Sequence, residues 1–580
     1  MSLELVRKRS DEERAEVIVI GAGPVGLVSA IQLGRAGIKT LVLERRRTFS
    51  VHPKASGIHA RTMEIYRQLD LSALIRRNSV NYRGTFSVGW MTRLNGIELG
   101  SITVGATKEE RDRFESWSPE MLAFCSQDVY EPLLAEALKQ YPSVELRMAC
   151  EANRIEQDSD SVTVRYAGEG GEGLARGHYL IAADGVRSRT RELLGIAETG
   201  MTPFGDSINV VFNSDLETYR AGREYGLFWI VNAETQGAFG WRQRGNLWSY
   251  NFEASADEDL ASYTPDRCAE IIRTAVGAPD VEIRINSILH WKHDQSVTDR
   301  WRARRVFLAG DAAHRFPPHG GFGMNSGVQD SHNLIWKLVG RLRWGAGDQL
   351  LDSYERERKP VAQRNGEQCV LNTQRMAATG WMQKGSAALA AIETPEGAEL
   401  RMRIGKAIPA QREQFFSQGQ QFGQLYSSAA LIDDGTPIEE SSVSLYRPTG
   451  RPGARAPHIW LEGTNGRRST LDLSGCGFAL LAARDGEPWL AAATRVVDAT
   501  HVPLAAFRIG SLECLQLPMD PRWEDLVGVG STGALLVRPD GYVGARWKDL
   551  PDNPQSALNT ALNKILSLQK DRSASLRDEI

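Results

Sequence analysis

The order of apolar and polar residues predicts two kinds of sheet in the first half of the chain. AEVIVI (15–20) is rich in β-branched residues and predicts a strand, and IKTLVLE (38–44) predicts a second one. Between them, GLVSAIQLGRAG (26–37) has the spacing of a helix that ends at a glycine. Further along, four segments alternate in character and predict strands of another sheet: INVVFN, YGLFWIVN, GAFGWRQ and LWSYNFEA.

The stretch GAGPVG (21–26) has the glycine spacing of a dinucleotide-binding turn and stands between the first strand and the helix. In that context, the free N–H groups of the helix N-terminus face a pyrophosphate. Glu44 ends the second strand, 18 positions after Gly26, where a carboxylate can bind a ribose hydroxyl. The same spacing recurs from Gly168 and from Gly528, but the first of these lies in an acidic hairpin and the second precedes a strand. Only the first motif is therefore expected to bind a dinucleotide.

Two later segments favour FAD over NAD. YLIAADGVRSRTRELLG predicts a strand that ends at Asp184, and RRVFLAGDAAHRFPPHGGFG predicts a strand that ends at Asp311, followed by a glycine-rich loop. Asp311 can accept hydrogen bonds from a polyol chain, and the loop lets backbone N–H groups approach a flat ring. The helix N-terminus after it carries a partial charge of about +0.5, which favours an anionic reduced flavin. A nicotinamide has no ribityl chain and would not need this element.

Composition removes several other classes of function. The 580 residues predict two to four domains, and a net charge of −3 gives no reason to expect a nucleic acid or an anionic membrane as partner. No apolar run is long enough to span a bilayer, and the charged start lacks the apolar core of a secretory signal. The six cysteines form no C-x-x-C pair, which fits reduced thiols in the cytoplasm. His290 and His293 lack a third ligand, so no metal site is predicted.

Together, the three motifs resemble those of the class A flavoprotein monooxygenases, the single-component aromatic hydroxylases. GxGxxG, a mid-chain Asp-Gly and a late Gly-Asp occur in that family's order, over about residues 15–380. PGARAPH, LDLSGCGFALLAA and GALLVRPDGYVGARW look like the thioredoxin-like C-terminal domain of one subgroup, the phenol, chlorophenol and aromatic polyketide hydroxylases. Because this segment has no redox cysteine pair, a structural role is expected for it, including contacts in a homodimer.

The resemblance assigns roles to residues at matching positions. It implies that FAD is bound by Gly21, Gly23, Pro24, Val25, Gly26, Glu44, Arg45, Lys54, Gln127, Asp184, Asp311, Pro318, Gly321, Gly323, Met324 and Asn325. The expected substrate-lining residues are Ser56, His59, Tyr225, Trp229, Trp241 and Pro318. The sequence departs from the family twice: Lys54 stands where arginine is frequent, and Ser56 stands where phenol hydroxylases carry an acidic base. The catalytic base is therefore not assigned.

The expected fold class is α/β: a Rossmann-like FAD-binding domain of the glutathione-reductase type, an inserted β-sheet substrate domain and a C-terminal thioredoxin-like α/β domain. The FAD-binding domain is predicted to be discontinuous and to cover 1–80, 120–200 and 295–380, with the substrate domain at 81–119 and 201–294. A helical connector is predicted at 381–435, the thioredoxin-like domain at 436–570 and a polar tail at 571–580. The segment LRWGAGDQLLDSYERERKPVAQRNGEQ predicts a long amphipathic helix whose paired charges face solvent.

The resemblance implies an FAD- and NAD(P)H-dependent monooxygenase that forms a C4a-hydroperoxide with O₂ and hydroxylates a phenolic or polycyclic aromatic substrate. A variant on the same scaffold inserts oxygen beside a ketone, in the Baeyer–Villiger manner. A flavin dehydrogenase without oxygen transfer is a different class, although the redox cysteines of disulfide reductases and a second nicotinamide fingerprint are missing. A third class is a protein that retains FAD for structure. The sequence identifies neither the substrate nor the choice between NADH and NADPH.

Overall fold

The first part of the fold is a six-stranded sheet in which all pairings but one are parallel. The computed structural model describes residues 13–80, 85–241, 246–255, 258–381, 385–439, 442–463, 466–511, 513–516 and 522–568. In spatial order, the strands of this sheet are Arg302–Ala303, Val306–Leu308, Tyr179–Ala182, Val17–Ile20, Thr40–Leu43 and Val144–Arg147. The four interior strands are buried along their whole length, as expected for a parallel sheet covered on both faces.

Helices pack along this sheet and extend from it. The first, Pro24–Arg35, contacts both Gln127–Leu138 and Phe322–Arg343. The other α-helices before the C-terminal part are Ala60–Gln68, Ser72–Arg77, Lys108–Trp117, Arg189–Leu193, Pro265–Val276, Asp348–Met376, Ala387–Ala390, Ala398–Ala407 and Gln418–Phe422. None of the helices in the described ranges combines the length and apolarity that a membrane crossing requires.

A four-stranded sheet beside the first one settles the conformation of the second glycine motif. Its strands are Glu13–Arg14, Gly171–Gly177, Val162–Gly168 and Cys150–Gln157. Gly168 and Gly171 are register partners at the end of an antiparallel hairpin. The GEGGEG motif is thus a hairpin turn, as predicted, with no helix after it.

The second large sheet has eight strands, and one of its faces borders a large cavity. In spatial order they are His314–Arg315, Arg284–Thr298, Glu198–Asn213, Leu247–Glu253, Gln236–Trp241, Leu227–Val231, Phe86–Met91 and Glu98–Val104. Alternate residues pack into different cores: Phe228 and Phe239 lie in the cluster covered by helix Pro265–Val276, whereas Trp229 and Ala238 lie in the cluster on the other face. Gly57–Ile58 and Ala123–Phe124 form a separate two-stranded antiparallel sheet.

The C-terminal part contains a mixed four-stranded sheet with helices packed on it. Its strands, in spatial order, are Leu504–Arg508, Phe478–Ala482, Ala534–Val537 and Val543–Trp547, and a three-stranded sheet of Gly466–Ser469, Trp460–Gly463 and Leu515–Gln516 accompanies it. The α-helices here are Glu487–Thr500, Trp523–Val527 and Pro554–Ile565. This α/β arrangement is the one expected for the thioredoxin-like domain, while the predicted tail 571–580 lies outside the described residues.

Buried charges connect the C-terminal part to the long helix Asp348–Met376. Glu357 of that helix forms ion pairs with Lys337, at 2.8 Å, and with Arg538 of the C-terminal part, at 2.7 Å. All three side chains are fully buried. The prediction that the charges of this helix face solvent is therefore wrong for Glu357, and also for Arg358, which pairs with Asp330 in the interior. Charge patterning could not show this, because the partners come from distant parts of the chain.

Candidate active site

A large cavity lies between the carboxyl ends of the six-stranded sheet and one face of the eight-stranded sheet. Its volume is about 1740 Å³. Small-molecule sites usually measure about 300–1,000 Å³, so this cavity has room for a dinucleotide and a second molecule. The carboxyl end of a parallel sheet is also where open α/β folds bind their ligands.

Most of the residues predicted from the sequence line this cavity. From the predicted cofactor set, these are Gly21, Gly23, Pro24, Val25, Glu44, Arg45, Lys54, Gln127, Asp184, Asp311, Pro318, Gly321, Gly323 and Met324; from the predicted substrate set, they are Ser56, His59, Trp229, Trp241 and Pro318. Three predicted residues are not among the lining residues: Gly26, Asn325 and Tyr225.

The first glycine turn is built for close approach of the backbone. Gly21 has a φ of +100°, which side-chain-bearing residues rarely adopt, and a Cβ at Gly26 would lie 1.9 Å from the Gly21 carbonyl oxygen. Gly26 thus packs the helix against the turn and does not reach the cavity. Helix Pro24–Arg35 begins at the cavity wall, and its first turn contains no acidic residue. Its free N–H groups form an anion site that suits a pyrophosphate.

Glu44 lies next to this turn, directly after the strand Thr40–Leu43. Its Oε2 accepts a hydrogen bond from the Ala22 N–H at 2.7 Å, and its Oε1 accepts two from Arg46, both at 2.9 Å. Burial alone would raise the pKa of Glu44, but these hydrogen bonds hold it below its usual value. The carboxylate is therefore ionised and fixed in the wall, where it can accept hydrogen bonds from ribose hydroxyls.

Asp184 and Asp311 follow neighbouring strands but make different contacts. Asp184 accepts hydrogen bonds from the Ser188 hydroxyl at 2.6 Å and from the Thr190 N–H at 3.0 Å, so its carboxylate holds its own loop. Asp311 lines the cavity, and burial raises its pKa despite the positive charge of Lys54 nearby. The position of Asp311 suits an acceptor for the hydroxyls of a ribityl chain.

The short strand that leads to His59 holds the glycine-rich loop in place. His59 Nε2 donates to the Gly320 carbonyl at 2.9 Å, while the Asn325 amide donates to the carbonyls of Gly57 and Gly321 at 3.0 and 2.7 Å. Asn325 Oδ1 accepts from the His59 N–H at 2.8 Å. Asn325 thus fixes the loop from behind instead of lining the cavity. Burial lowers the pKa of His59 to about 4, so its ring is neutral at neutral pH.

The other end of the cavity is lined by aromatic side chains. Trp229 stacks on His319, with ring centroids 5.8 Å apart and planes 12° from parallel, and the edge of Trp381 meets Trp229 at 4.7 Å. Further apolar lining comes from Phe86, Val104, Met121, Leu289, Phe316, Phe415 and Phe422. An aromatic compartment of this kind suits a flat, apolar ligand.

Tyr225 and two other aromatic residues of the sheet do not take part in this compartment. The Tyr225 hydroxyl donates to Glu98 at 2.7 Å, and its ring packs over Gly89. Trp248 and Tyr250 lie in the core on the opposite face of the sheet. The expectation that Tyr225 lines the substrate site is corrected accordingly: alternation identified the strands but not which face meets the ligand.

The lining residues that were not predicted from the sequence include two groups that bear on the ligand. One comes from the predicted connector, which contributes Gln414, Phe415, Ser417, Gln418, Gln421 and Phe422. These residues carry no recognisable motif and reach the cavity only through tertiary packing. The other is His319, whose place between Pro318 and the glycines of the loop was a visible signal for a position near the ring.

Comparison with known families agrees with this geometry. The profile described as "FAD binding domain" matches residues 14–368, and the profile described as "Aromatic-ring hydroxylase, C-terminal" matches residues 449–567. The chain belongs to the FAD-dependent aromatic-ring hydroxylases. The family membership, the FAD cofactor and the α/β fold class expected from the sequence are thereby confirmed.

Relatives of this hydroxylase match it over almost its full length. It is 33% identical to a 4-methyl-5-nitrocatechol 5-monooxygenase of Burkholderia sp., over 95% of this chain and 97% of the relative. It is 34% identical to the tetracenomycin B2 monooxygenase-dioxygenase of Streptomyces olivaceus, over 96% and 99%. A 2,4-dichlorophenol 6-monooxygenase of Delftia acidovorans is 31% identical, over 95% and 98%.

Solved structures of similar enzymes share the whole fold. The flavin-dependent monooxygenase PieE in complex with FAD and substrate superposes with a TM-score of 0.89 at 31% identity, covering 97% of this chain and 100% of that one. An aklavinone-11 hydroxylase with FAD and aklavinone gives a TM-score of 0.81 at 32% identity, covering 96% and 100%.

Proposed function

We propose that this hydroxylase adds one oxygen atom to a phenolic or polycyclic aromatic substrate, with O₂ as the oxygen source and NADH or NADPH as the reductant. The observation that carries the proposal is one continuous cavity that runs from the dinucleotide-binding turn at Gly21 to the aromatic compartment around Trp229. The names of relatives that refer to a nitrocatechol and to a dichlorophenol also support a phenolic substrate.

The described residues fit FAD. The Gly21 turn and the N-terminus of helix Pro24–Arg35 suit the pyrophosphate, and the fixed carboxylate of Glu44 suits the adenosine ribose. Asp311 suits the ribityl chain. Gly320, Gly321 and Gly323 line the cavity without a side chain, which leaves space for a flat ring system.

When bound, FAD supplies hydride acceptance from the nicotinamide and delivery of an oxygen atom from O₂ to an aromatic carbon. The chain's own residues hold the substrate ring and exclude water. Trp229 lines the cavity and is held from behind by Trp381, because both side chains are buried and their rings meet edge to face. An apolar wall of this kind keeps water away from the reacting atoms, and water would divert the activated oxygen to hydrogen peroxide.

The groups that could hold a phenolic proton differ from those of phenol hydroxylases. Ser56 lines the cavity where those enzymes carry an acidic residue, so a carboxylate base is missing at that position. Lys54 also lines the cavity and keeps a positive charge near Asp311. We expect the substrate hydroxyl to be bound by a different group, and the structure offers a specific one, described below.

The C-terminal domain is proposed to stabilise the fold without taking part in redox chemistry. Its cysteines are Cys476, which is exposed, and Cys514, which is buried, and they are 38 positions apart. The buried pair between Arg538 and Glu357 ties the domain to the FAD-binding part. A homodimer built through this domain stays a prediction, and size-exclusion chromatography with light scattering would test it.

An activity assay on the flavin-loaded protein tests the proposal. NADH and NADPH oxidation would be followed with a panel of phenols, catechols and naphthols, and the products would be analysed by mass spectrometry. We expect at least one phenol to stimulate oxidation and to gain one oxygen atom. Stimulated oxidation that releases only hydrogen peroxide with every compound, or purification without any flavin, would contradict the proposal.

A further inference from the structure

His319 is buried in the loop between the two parts of the cavity, and one of its ring nitrogens has no partner. The side chain is 5% exposed and lines the cavity. Its Nε2 has no hydrogen-bond partner among the described residues. A buried polar atom without a partner is unfavourable, so such an atom at the wall of a ligand cavity indicates a contact that a ligand completes.

The other ring nitrogen fixes the tautomer. His319 Nδ1 lies 3.0 Å from the Thr373 hydroxyl oxygen, and that hydroxyl lies 2.9 Å from the Cys369 carbonyl oxygen. Both contacts are hydrogen bonds at the same time only if the single hydroxyl proton of Thr373 points to the Cys369 carbonyl, which can only accept. Thr373 must then accept from His319, which places the proton on Nδ1. The unpartnered Nε2 consequently carries a lone pair.

The ring is also neutral. Burial, with His293 as a second and weaker cause, lowers the pKa of His319 to about 3. The rings of the two histidines are 6.5 Å apart. At neutral pH, His319 is therefore not a cation, and Nε2 is available as an acceptor only.

Packing holds the acceptor in one orientation. The His319 ring is stacked on Trp229 and tied through Nδ1 to the long helix that contains Thr373. The Trp229 Nε1 is itself buried and without a partner in the described residues, so this corner of an apolar compartment carries one acceptor and one donor. By contrast, both ring nitrogens of His52, which also lines the cavity, are within 2.9 Å of side-chain oxygens of Ser287 and Asn209.

We propose that His319 Nε2 accepts a hydrogen bond from a hydroxyl group of the aromatic substrate and thereby selects hydroxylated rings over equally sized rings that lack a donor. This assignment rests on the proposed function, since it concerns the substrate of the same site. His319 thereby supplies a group that binds the substrate hydroxyl, in a cavity where Ser56 replaces the acidic residue of phenol hydroxylases. The proton stays on the hydroxyl oxygen in this contact, and no bond is formed or broken.

The tautomer can be read directly on the flavin-loaded protein without a substrate. In ¹⁵N-histidine NMR, with His319→Gln used to assign the resonance among the 10 histidines, we expect a neutral ring with the proton on Nδ1. Addition of 1-naphthol should shift the Nε2 resonance toward the value of a hydrogen-bonded acceptor. A proton on Nε2, a cationic ring at neutral pH, or an Nε2 resonance that does not respond to saturating 1-naphthol would overturn the proposal.

Binding of a matched pair of probes measures the selectivity. 1-Naphthol and 1-fluoronaphthalene have nearly the same size, but only the first can donate, and their dissociation constants follow from the perturbed flavin spectrum. We expect wild type to favour 1-naphthol by about tenfold and His319→Phe, which keeps a ring for Trp229 to stack on, to lose that preference. Thr373→Val should reduce the preference because it releases Nδ1.

The control is Thr379→Val, since the Thr379 hydroxyl is buried and donates to the Met376 carbonyl without lining the cavity. This variant should keep the wild-type preference. An unchanged preference in His319→Phe would refute the role of His319. That outcome differs from failure of the proposed function, in which substrate-stimulated oxidation and oxygen incorporation are absent in wild type as well.

Discussion

The buried ion pairs of Glu357 give the strongest prediction about stability. Glu357 accepts hydrogen bonds from Arg538 at 2.7 and 2.9 Å, from Lys337 at 2.8 Å, from Asn333 at 2.7 Å and from Ser428 at 2.6 Å. Glu357→Gln removes one negative charge and leaves two buried cations, with Asp540 as the remaining carboxylate beside Arg538. The shape of the side chain is almost unchanged, so the effect is electrostatic.

The expected loss follows from the burial of both partners. Breaking a buried ion pair by removing one charge costs about 3–5 kcal/mol, a large share of the roughly 5–15 kcal/mol by which domains are stable. The matched control on the same helix is Asp352→Asn. Asp352 pairs with Arg302 at 2.6 Å but is 57% exposed, so its removal should cost about 0–1 kcal/mol.

Urea unfolding of the flavin-loaded protein, followed by tryptophan fluorescence, measures both variants. We expect the midpoint of Glu357→Gln to fall well below that of Asp352→Asn. Adding Lys337→Met to Glu357→Gln removes one of the stranded cations and should recover part of the loss. Equal midpoints for Glu357→Gln and Asp352→Asn would show that the buried charge of Glu357 does not stabilise the fold, and so would a double variant that is less stable than Glu357→Gln alone.

Three further predictions concern the cofactor site and pH. Gly26→Ala should prevent retention of FAD, because its Cβ would lie 1.9 Å from the Gly21 carbonyl oxygen, and a purified variant with a full flavin absorbance would contradict this. Glu44→Gln should weaken FAD binding by about tenfold or more in a fluorescence titration, because it replaces an ionised acceptor with a neutral one, whereas an unchanged affinity would argue against contact with the ribose. Burial lowers the pKa of His332 and His458 to about 3 from an unfolded value of 6.5, so the unfolded chain binds more protons between these values and stability should fall as pH decreases below 6.5. Each histidine contributes up to about 1.4 kcal/mol per pH unit, and His332→Gln should make the fall of the melting temperature between pH 7 and pH 5 less steep; an identical pH profile would contradict that assignment.

Local patterns were sufficient to predict which residues line the cavity around the Gly21 turn. The turn at Gly21 could be recognised because strand, glycines, helix and terminal acid follow one another within one unit of the chain. Glu44 lies beside that turn, as its spacing required, because parallel strands bring their carboxyl ends to the same edge. The hairpin at Gly168 could be separated from a binding site for the same reason, since no helix follows it.

The substrate half depends on contacts that no local pattern contains. Alternation predicts a strand at Trp229, but the choice between Trp229 and Phe228 for the cavity depends on which face the helix Pro265–Val276 covers. The tautomer of His319 depends on Thr373, which is 54 positions away in the chain. Burial of Glu357 likewise depends on Arg538, from a different domain. Residue roles that depend on a single sequence motif could be predicted, whereas roles that depend on packing between distant residues could not.

Transfer of an oxygen atom from O₂ to an aromatic ring in this cavity can be measured with ¹⁸O₂. The flavin-loaded protein would be given NADH or NADPH, the phenol that most stimulates oxidation, and labelled oxygen gas in unlabelled water. We expect a product that carries one ¹⁸O atom on the ring. Substrate-stimulated oxidation that yields a product without the label, or with oxygen derived from water, would contradict that expectation.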